Sequence, residues 1–267
     1  MNKKSFADGL MLAETDGPVG TVVFNQPEKH NAVSVDMWIG LGEIIAAMEA
    51  DPVIRVIVLR GAGEKAFVSG ADISQFERTR ANAEVAAQTA LRMSSGRGAV
   101  KRCAKPTIAA IRGFCLGGGL GIALQADLRI AATDSQFGIP AARLGIAYAF
   151  DNLRTLVDVV GPAHARMIMF SANRIDATEA ARIGLINRVV APDALWSEVG
   201  ALAARIAANA PISVAASKAG IDMALRDPAD RDHALLDDFQ RRSLDSADYR
   251  EGRAAFKEKR QPVFTGR

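Results

Sequence analysis

The chain has 267 residues, 49% hydrophobic and 24% charged, and a formal net charge of +3. That length suits one sizeable core or a core with a small appendage, and the composition is that of an ordinary globular protein. No run of like charges marks a nucleic-acid arm, no apolar stretch is long enough to span a membrane as a helix, and the first residues lead into no signal-peptide core. The expectation is a cytosolic protein with no nucleic-acid or membrane partner.

The first strong element is the run Val19–Phe24, read as a strand. After "NQPEKHNAVS", Ser34 is a natural N-cap, and Met37, Leu41, Ile44 and Met48 step along one face of a helix. Ile54–Leu59, Thr107–Ile111 and Leu128–Ala132 are further strands, nearly unbroken by polar residues, as suits strands covered on both faces. Alternation of such strands with helices predicts an α/β fold with crossover connections. In "DATEAARIG", Asp176 and Glu179 form a capping-box pattern and Gly184 supplies the stop. From Pro192 onward strand signals vanish, and Leu195, Val199, Leu202 and Ile206 fall at helical spacing. The charged tail carries too few apolar residues for a core of its own, so a neighbouring subunit is a natural support.

Several chemistries are disfavoured by what is missing. Cys103 and Cys115 have neither zinc-knuckle nor Cys-x-x-Cys spacing and are expected to be reduced and packed. His30, His164 and His233 are far apart, so no metal site is expected. "GGGLG" lacks the dinucleotide-binding spacing, and no Walker sequence or Gly-x-Ser-x-Gly elbow is present. What remains is backbone. Gly117, Gly118 and Gly119 at a strand-to-helix junction, and a second junction in "AFVSGADI" (Ala66–Ile73), let a ligand approach free N–H groups closely. One N–H from each loop would make an oxyanion hole. Asp72 reads as a loop or helix-capping residue, and Asp127 as a partner for buried backbone.

Together, "NQPEKHNAVS", "AFVSGADI", "IRGFCLGGGLGIALQADLRIAA", "QFGIPAARLGI", "DATEAARIGLINRVV" and "EGRAAFKEKR" resemble the crotonase, or enoyl-CoA hydratase/isomerase, superfamily over nearly the whole chain. The resemblance implies a spiral of ββα units over 1–191 and a C-terminal helical region over 192–267 that builds a homotrimer or a dimer of trimers. It implies an acyl-CoA substrate, coenzyme A entering as part of it and no separate cofactor. It places the oxyanion hole on the N–H groups of Ala71 and Gly118. It places coenzyme A binding at Lys29, His30, the main chain around Ser69, Asp72 and Ile73, and the tail residues Phe256 and Lys259, the last two serving a neighbouring subunit's ligand.

The chain departs from the family where hydratases carry two glutamates, because Gly121 and Ala141 stand at those positions. Neither transfers a proton, so the usual addition of water lacks its acid and its base. The aspartate of some isomerase and dehalogenase relatives falls on Ala149. Tyr148 and Asp151, with Arg143 before them, are the nearest ionisable candidates. Against chemistry, Asp151 reads as the N-cap of the helix "NLRTLVDVVG", and Tyr148 as a pocket wall whose hydroxyl bonds to backbone. Tyrosine at this position also resembles the methylmalonyl-CoA decarboxylase branch. Three functions follow as expectations: an enoyl-CoA hydratase or isomerase without its glutamates, a malonyl-type thioester decarboxylase, and an acyl-CoA binder without turnover.

Overall fold

Two sheets organise the chain in the computed structural model, which describes residues 2–75, 79 and 81–267. In chain order the first strands are β1 (Asn2–Phe6), β2 (Met11–Asp16), β3 (Val19–Phe24), β4 (Val56–Gly61) and β5 (Ala66–Val68). They are followed by β6 (Thr107–Ile111), β7 (Phe114–Leu116), β8 (Leu128–Ala132), β9 (Gln136–Gly138), β10 (Ile175–Asp176) and β11 (Arg188–Val190). The larger sheet has the order β1-β2-β3-β4-β6-β8-β11, antiparallel through β3 and parallel beyond it. The smaller has the order β10-β9-β7-β5, with only β10 antiparallel. The pairs β4–β5, β6–β7 and β8–β9 each place one strand in either sheet before the chain crosses back. This is the α/β fold that the strand pattern predicted, in the spiral of ββα units that the family resemblance implied.

The buried strands follow from their side chains. Alternate residues point to opposite faces of a strand, so Ile57 and Leu59 enter the main core with Ile111, Phe67 and Phe137. Val56 and Val58 face the other way, joining Ile108, Ala110 and Ile130. Val19–Phe24, Thr107–Ile111 and Leu128–Ala132 form strands at the expected bounds, whereas Ile54–Leu59 is displaced to Val56–Gly61. Pairing starts only at Val19 opposite Val56, because the N–H groups of Arg55 and Val56 turn to Pro18 O just before the ladder.

Helix α1 (Val35–Ala50) starts on Ser34, whose hydroxyl accepts the Met37 N–H, and it buries Met37, Leu41, Ile44 and Met48. Between β5 and β6 lie α2 (Ala83–Arg92) and α3 (Ala99–Arg102); α4 (Gly118–Ala123) follows β7, and α5 (Phe150–Ser171) follows β9. Gly161, at φ 73°, breaks α5 just before Pro162. In α6 (Ala177–Arg182) the Asp176 carboxylate caps the Glu179 N–H, and Gly184 at φ +76° provides the stop. Only half of the capping box forms, since the Glu179 carboxylate pairs with Arg182 instead.

Beyond Pro192 come α7 (Leu195–Ala207), α8 (Pro211–Ala224), α9 (His233–Asp245) and α10 (Ala247–Glu258). Leu195, Val199, Ala203 and Ala207 of α7 cover the outer face of the larger sheet. Lys218 of α8 reaches Asp127, whose carboxylate also accepts the Thr107 N–H and hydroxyl. Asp127 is thus the backbone partner its sequence context suggested. The end of the chain folds back, and the buried Asp248 carboxylate accepts the N–H groups of Thr265 and Gly266.

Candidate functional site

Two loops meet where the smaller sheet ends. After β5 the chain passes through Gly70, at φ +130°, and runs beside the segment from Lys29 to Val33. Gly70 O accepts the Val33 N–H at 2.8 Å, and Val33 O accepts the Asp72 N–H at 3.0 Å. In extended backbone, neighbouring N–H groups point opposite ways. Ala71, between these two bonds, therefore turns its N–H away from Val33, and that N–H has no hydrogen-bond partner among the described residues.

The second loop follows β7. Gly117 sits at φ 52°, ψ −116°, a conformation closed to residues with a side chain, and its N–H is held by Gly138 O at 2.8 Å. Gly118 opens α4, where no earlier turn supplies an acceptor, and its N–H is likewise unpartnered among the described residues. The loops abut: a Cβ on Gly118 would lie 3.8 Å from Ala71 N, and one on Gly117 would lie 3.9 Å from Gly70 Cα. Behind them, α4 packs so closely on β5 that a Cβ on Gly119 would lie 2.0 Å from Val68 O. Two free N–H groups from separate loops thus stand side by side.

The Lys29–His30 turn is joined to the first loop. Lys29 Nζ pairs with Asp72 Oδ2 at 3.1 Å, His30 O accepts the Ser69 N–H at 3.1 Å, and Lys29 O accepts the Ser69 hydroxyl at 3.5 Å. Ile73, 68% exposed, follows directly. Lys29, His30, Ser69, Asp72 and Ile73 are therefore brought together beside Ala71. Phe256 and Lys259 are not: they end α10, Phe256 is 89% exposed, and no hydrogen bond among the described residues ties either side chain to this cradle.

The Asp72 carboxylate also accepts the Ser74 hydroxyl at 2.6 Å and the Ser74 N–H at 3.0 Å. Burial pushes this carboxyl up, but the bonds from Ser74 and Lys29, with the lysine's charge, outweigh it and hold Asp72 below its usual range. Asp72 is a fixed anion that shapes the loop. A folded-state pKa below the unfolded one stabilises the fold above the unfolded pKa and is lost on acidification. Asp72→Asn should accordingly be destabilising at neutral pH, and the gap to wild type should close as pH falls through 3.8 and below. Urea midpoints of both proteins between pH 7 and pH 3 check this.

Sequence reasoning passed over Asn31. It lies at φ 56° and is fully buried, its carboxamide donating to Ala62 O and Ala66 O while accepting the Gln26 N–H. These bonds fasten the Lys29 turn to the start of β5. The signal was an asparagine directly after a charged turn, since asparagine tolerates the left-handed region better than most residues.

Around Gly121 the structure replaces an absence with a contact. A Cβ on Gly121 would meet the Tyr148 hydroxyl at 3.2 Å, and that hydroxyl donates to Gly117 O at 3.4 Å. Burial, reinforced by the Cys115 thiol, pushes the phenol up to about 12, so it remains protonated at neutral pH. The Tyr148 hydroxyl is thus bonded to backbone, as one sequence reading expected. Ala141 is buried in the 3-10 turn Pro140–Leu144 after β9, and Ala149 is the N-cap of α5. The expected capping role of Asp151 is corrected: α5 begins at Phe150, and Asp151 is an exposed residue of its first turn. Arg143 is engaged elsewhere, donating to Asn173 Oδ1 at 2.6 Å.

The chain is similar to known proteins over nearly its whole length. A family model described as enoyl-CoA hydratase/isomerase matches residues 14–267. A crotonyl-CoA hydratase of Syntrophomonas wolfei is 34% identical over 254 residues, covering 95% of this chain and 97% of the relative. An (E)-benzylidenesuccinyl-CoA hydratase of Thauera aromatica is 37% identical over 257 residues, covering 95% and 98%. Among solved structures, an enoyl-CoA hydratase/carnithine racemase from Magnetospirillum magneticum superposes with a TM-score of 0.92 at 43% identity, covering 97% of this chain and 96% of that one.

Proposed function

The chain belongs to the enoyl-CoA hydratase/isomerase family of acyl-CoA enzymes, and from that premise we propose that it stabilises a thioester enolate without the two usual glutamates. The observation that carries this reading is the pair of N–H groups, Ala71 and Gly118, that stand on abutting loops without a partner among the described residues. Both bond the thioester oxygen as it gains negative charge. In other enzymes one such donor is worth roughly 3 kcal/mol of transition-state stabilisation, so the pair supplies a large part of a rate enhancement by itself. The cradle of Lys29, His30, Ser69, Asp72 and Ile73 takes the coenzyme A portion, with no separate cofactor.

Phe256 and Lys259 are read as completing that cradle on a neighbouring subunit of a homotrimer or dimer of trimers. The exposure of Phe256, Phe170, Phe150 and Met167 supports such an assembly. The solution mass of the purified protein, measured by light scattering, tests it, and a monomer at micromolar concentration would contradict it.

Tyr148 and Asp151 are the candidates for the proton step, and Asp151 is the carboxylate nearest in the chain to Tyr148. Asp151→Asn should slow exchange of the substrate's α-protons by about 10² or more, the usual scale of a positioned acid or base. Unchanged exchange would remove Asp151 from the mechanism.

Decarboxylation of a malonyl-type thioester is a second reading, favoured by the neutral phenol at Tyr148, where a carboxylate would repel an anionic acyl group. The electrons of the broken carbon–carbon bond pass into the enolate held by Ala71 and Gly118, carbon dioxide leaves, and the α-carbon takes a proton from solvent. Crotonyl-CoA and methylmalonyl-CoA separate the readings, by loss of enoyl absorbance or by release of carbon dioxide.

A further inference from the structure

We propose that Tyr148 is a positioning residue for the Gly118 donor, acting through the peptide group that links Gly117 to Gly118. The inference rests on the enolate-stabilising reading above and gives the phenol a part in it that needs no contact with substrate.

The geometry is specific. The Gly117 carbonyl and the Gly118 N–H belong to one planar amide. That carbonyl accepts two hydrogen bonds, from the Gly121 N–H at 3.1 Å and from the Tyr148 hydroxyl at 3.4 Å. On the other side, the Gly117 N–H is fixed by Gly138 O at 2.8 Å. Two bonds therefore hold this amide and the third fixes the one before it, on either side of a Gly117 in a glycine-only conformation. A donor on a carbonyl draws electron density through its amide and makes the attached N–H a stronger donor, an effect that accumulates along a hydrogen-bonded chain. Here the chain runs from the Tyr148 hydroxyl to Gly117 O and out through the Gly118 N–H to the ligand oxygen.

Gly121 acquires a reason of its own in this arrangement. A Cβ there would stand 3.2 Å from the hydroxyl, closer than side chains ordinarily approach, and the phenol would have to give way. The phenol is confined: it packs on the main core, and the fully buried Cys115 is close enough to raise its pKa. A bare position 121 and a tyrosine at 148 thus go together, and any side chain at 121 competes with the bond that polarises the donor.

The test uses the full-length protein and acetyl-CoA carrying carbon-13 at the thioester carbonyl, read by infrared difference spectroscopy. In the wild type the bound carbonyl should absorb at lower frequency than the free thioester. In Tyr148→Phe part of that shift should be lost, with a roughly three- to tenfold fall in the α-proton exchange rate and acetyl-CoA affinity nearly unchanged. Gly121→Ala should reproduce both effects in the wild type and add nothing in Y148F. A wild-type carbonyl without a shift would sink the enolate-stabilising reading itself. A full shift retained in Y148F, whether or not its melting temperature falls, would overturn the positioning role and leave that reading standing. Weakened binding confined to malonyl-CoA, with the carbonyl shift intact, would assign Tyr148 to substrate contact and equally overturn the proposal.

Discussion

Gly118→Pro should lower turnover by about 10² to 10³ while the protein keeps its fold, because it deletes one backbone donor and sets the ring's Cδ where that N–H pointed. Gly118 is the first residue of α4, where proline is best tolerated and where the missing N–H serves no helical bond. There is room for a Cβ, which meets nothing closer than 3.8 Å at this position. Gly118→Ala adds the Cβ and keeps the N–H, so the difference between the two variants reads the loss of the donor together with the ring carbon that replaces it. Circular dichroism and melting establish that both are folded, and the α-proton exchange rate reads the loss. Equal rates for the two variants would mean that the Gly118 N–H does not stabilise the transition state.

The neighbouring glycine should fail in the opposite manner. Gly119→Ala is expected to destabilise the protein by about 3 kcal/mol, at the upper end of what forced overpacking usually costs. Its Cβ would stand 2.0 Å from Val68 O and 2.8 Å from Val68 Cβ, and Val68 is fully buried in β5 with no direction in which to yield. Relief requires α4 to move off the smaller sheet, which would also separate Gly118 from Ala71. Urea denaturation should show a lower midpoint at unchanged slope, since the same surface is exposed on unfolding. A midpoint within experimental error of wild type would show that the helix and strand are not in this contact.

These adjacent residues show what was legible in the sequence and what was not. The glycine cluster announced a bare turn, and the resemblance to a family placed a donor at Gly118. That Gly119 is there for a helix–strand contact and Gly121 for the approach of a phenol depends on Val68 and Tyr148, which lie far from them in the chain, while Gly117 is there for its own backbone angles. The long buried strands were legible because their apolar runs are unbroken, and Ser34 and Asp176 because a capping side chain acts within three residues. The smaller sheet was not: β5, β7 and β9 are three residues each, too short for any period to show. The hairpin β1–β2 was missed because its first strand is polar and mostly exposed. Asp151 looked like a cap on residue type alone. The helix starts two residues earlier than that, at Phe150 with Ala149 extended at φ −64°, ψ 141° as its cap, and the carboxylate falls in the first turn, where it still complements the helix end.

The site divides in the same manner. The association of Lys29, His30, Ser69, Asp72 and Ile73 follows from two motifs being brought side by side, which the family resemblance carried. The tie between Lys29 and Asp72 and the anchoring by Asn31 required the fold. The absence of a carboxylate at 121 and 141 was plain from the sequence, whereas the phenol standing beside position 121 was not.

The most direct test of enolate stabilisation is mass spectrometry of a mixed panel of acyl-CoA thioesters, including crotonyl-, butyryl- and methylmalonyl-CoA, incubated with the protein in deuterated water. Stabilisation by Ala71 and Gly118 predicts deuterium at the α-carbon of at least one thioester or its product, at a rate that falls in Gly118→Pro. Tight binding of the same thioesters with no mass change in any of them would contradict it and leave a protein that holds acyl-CoA without turning it over.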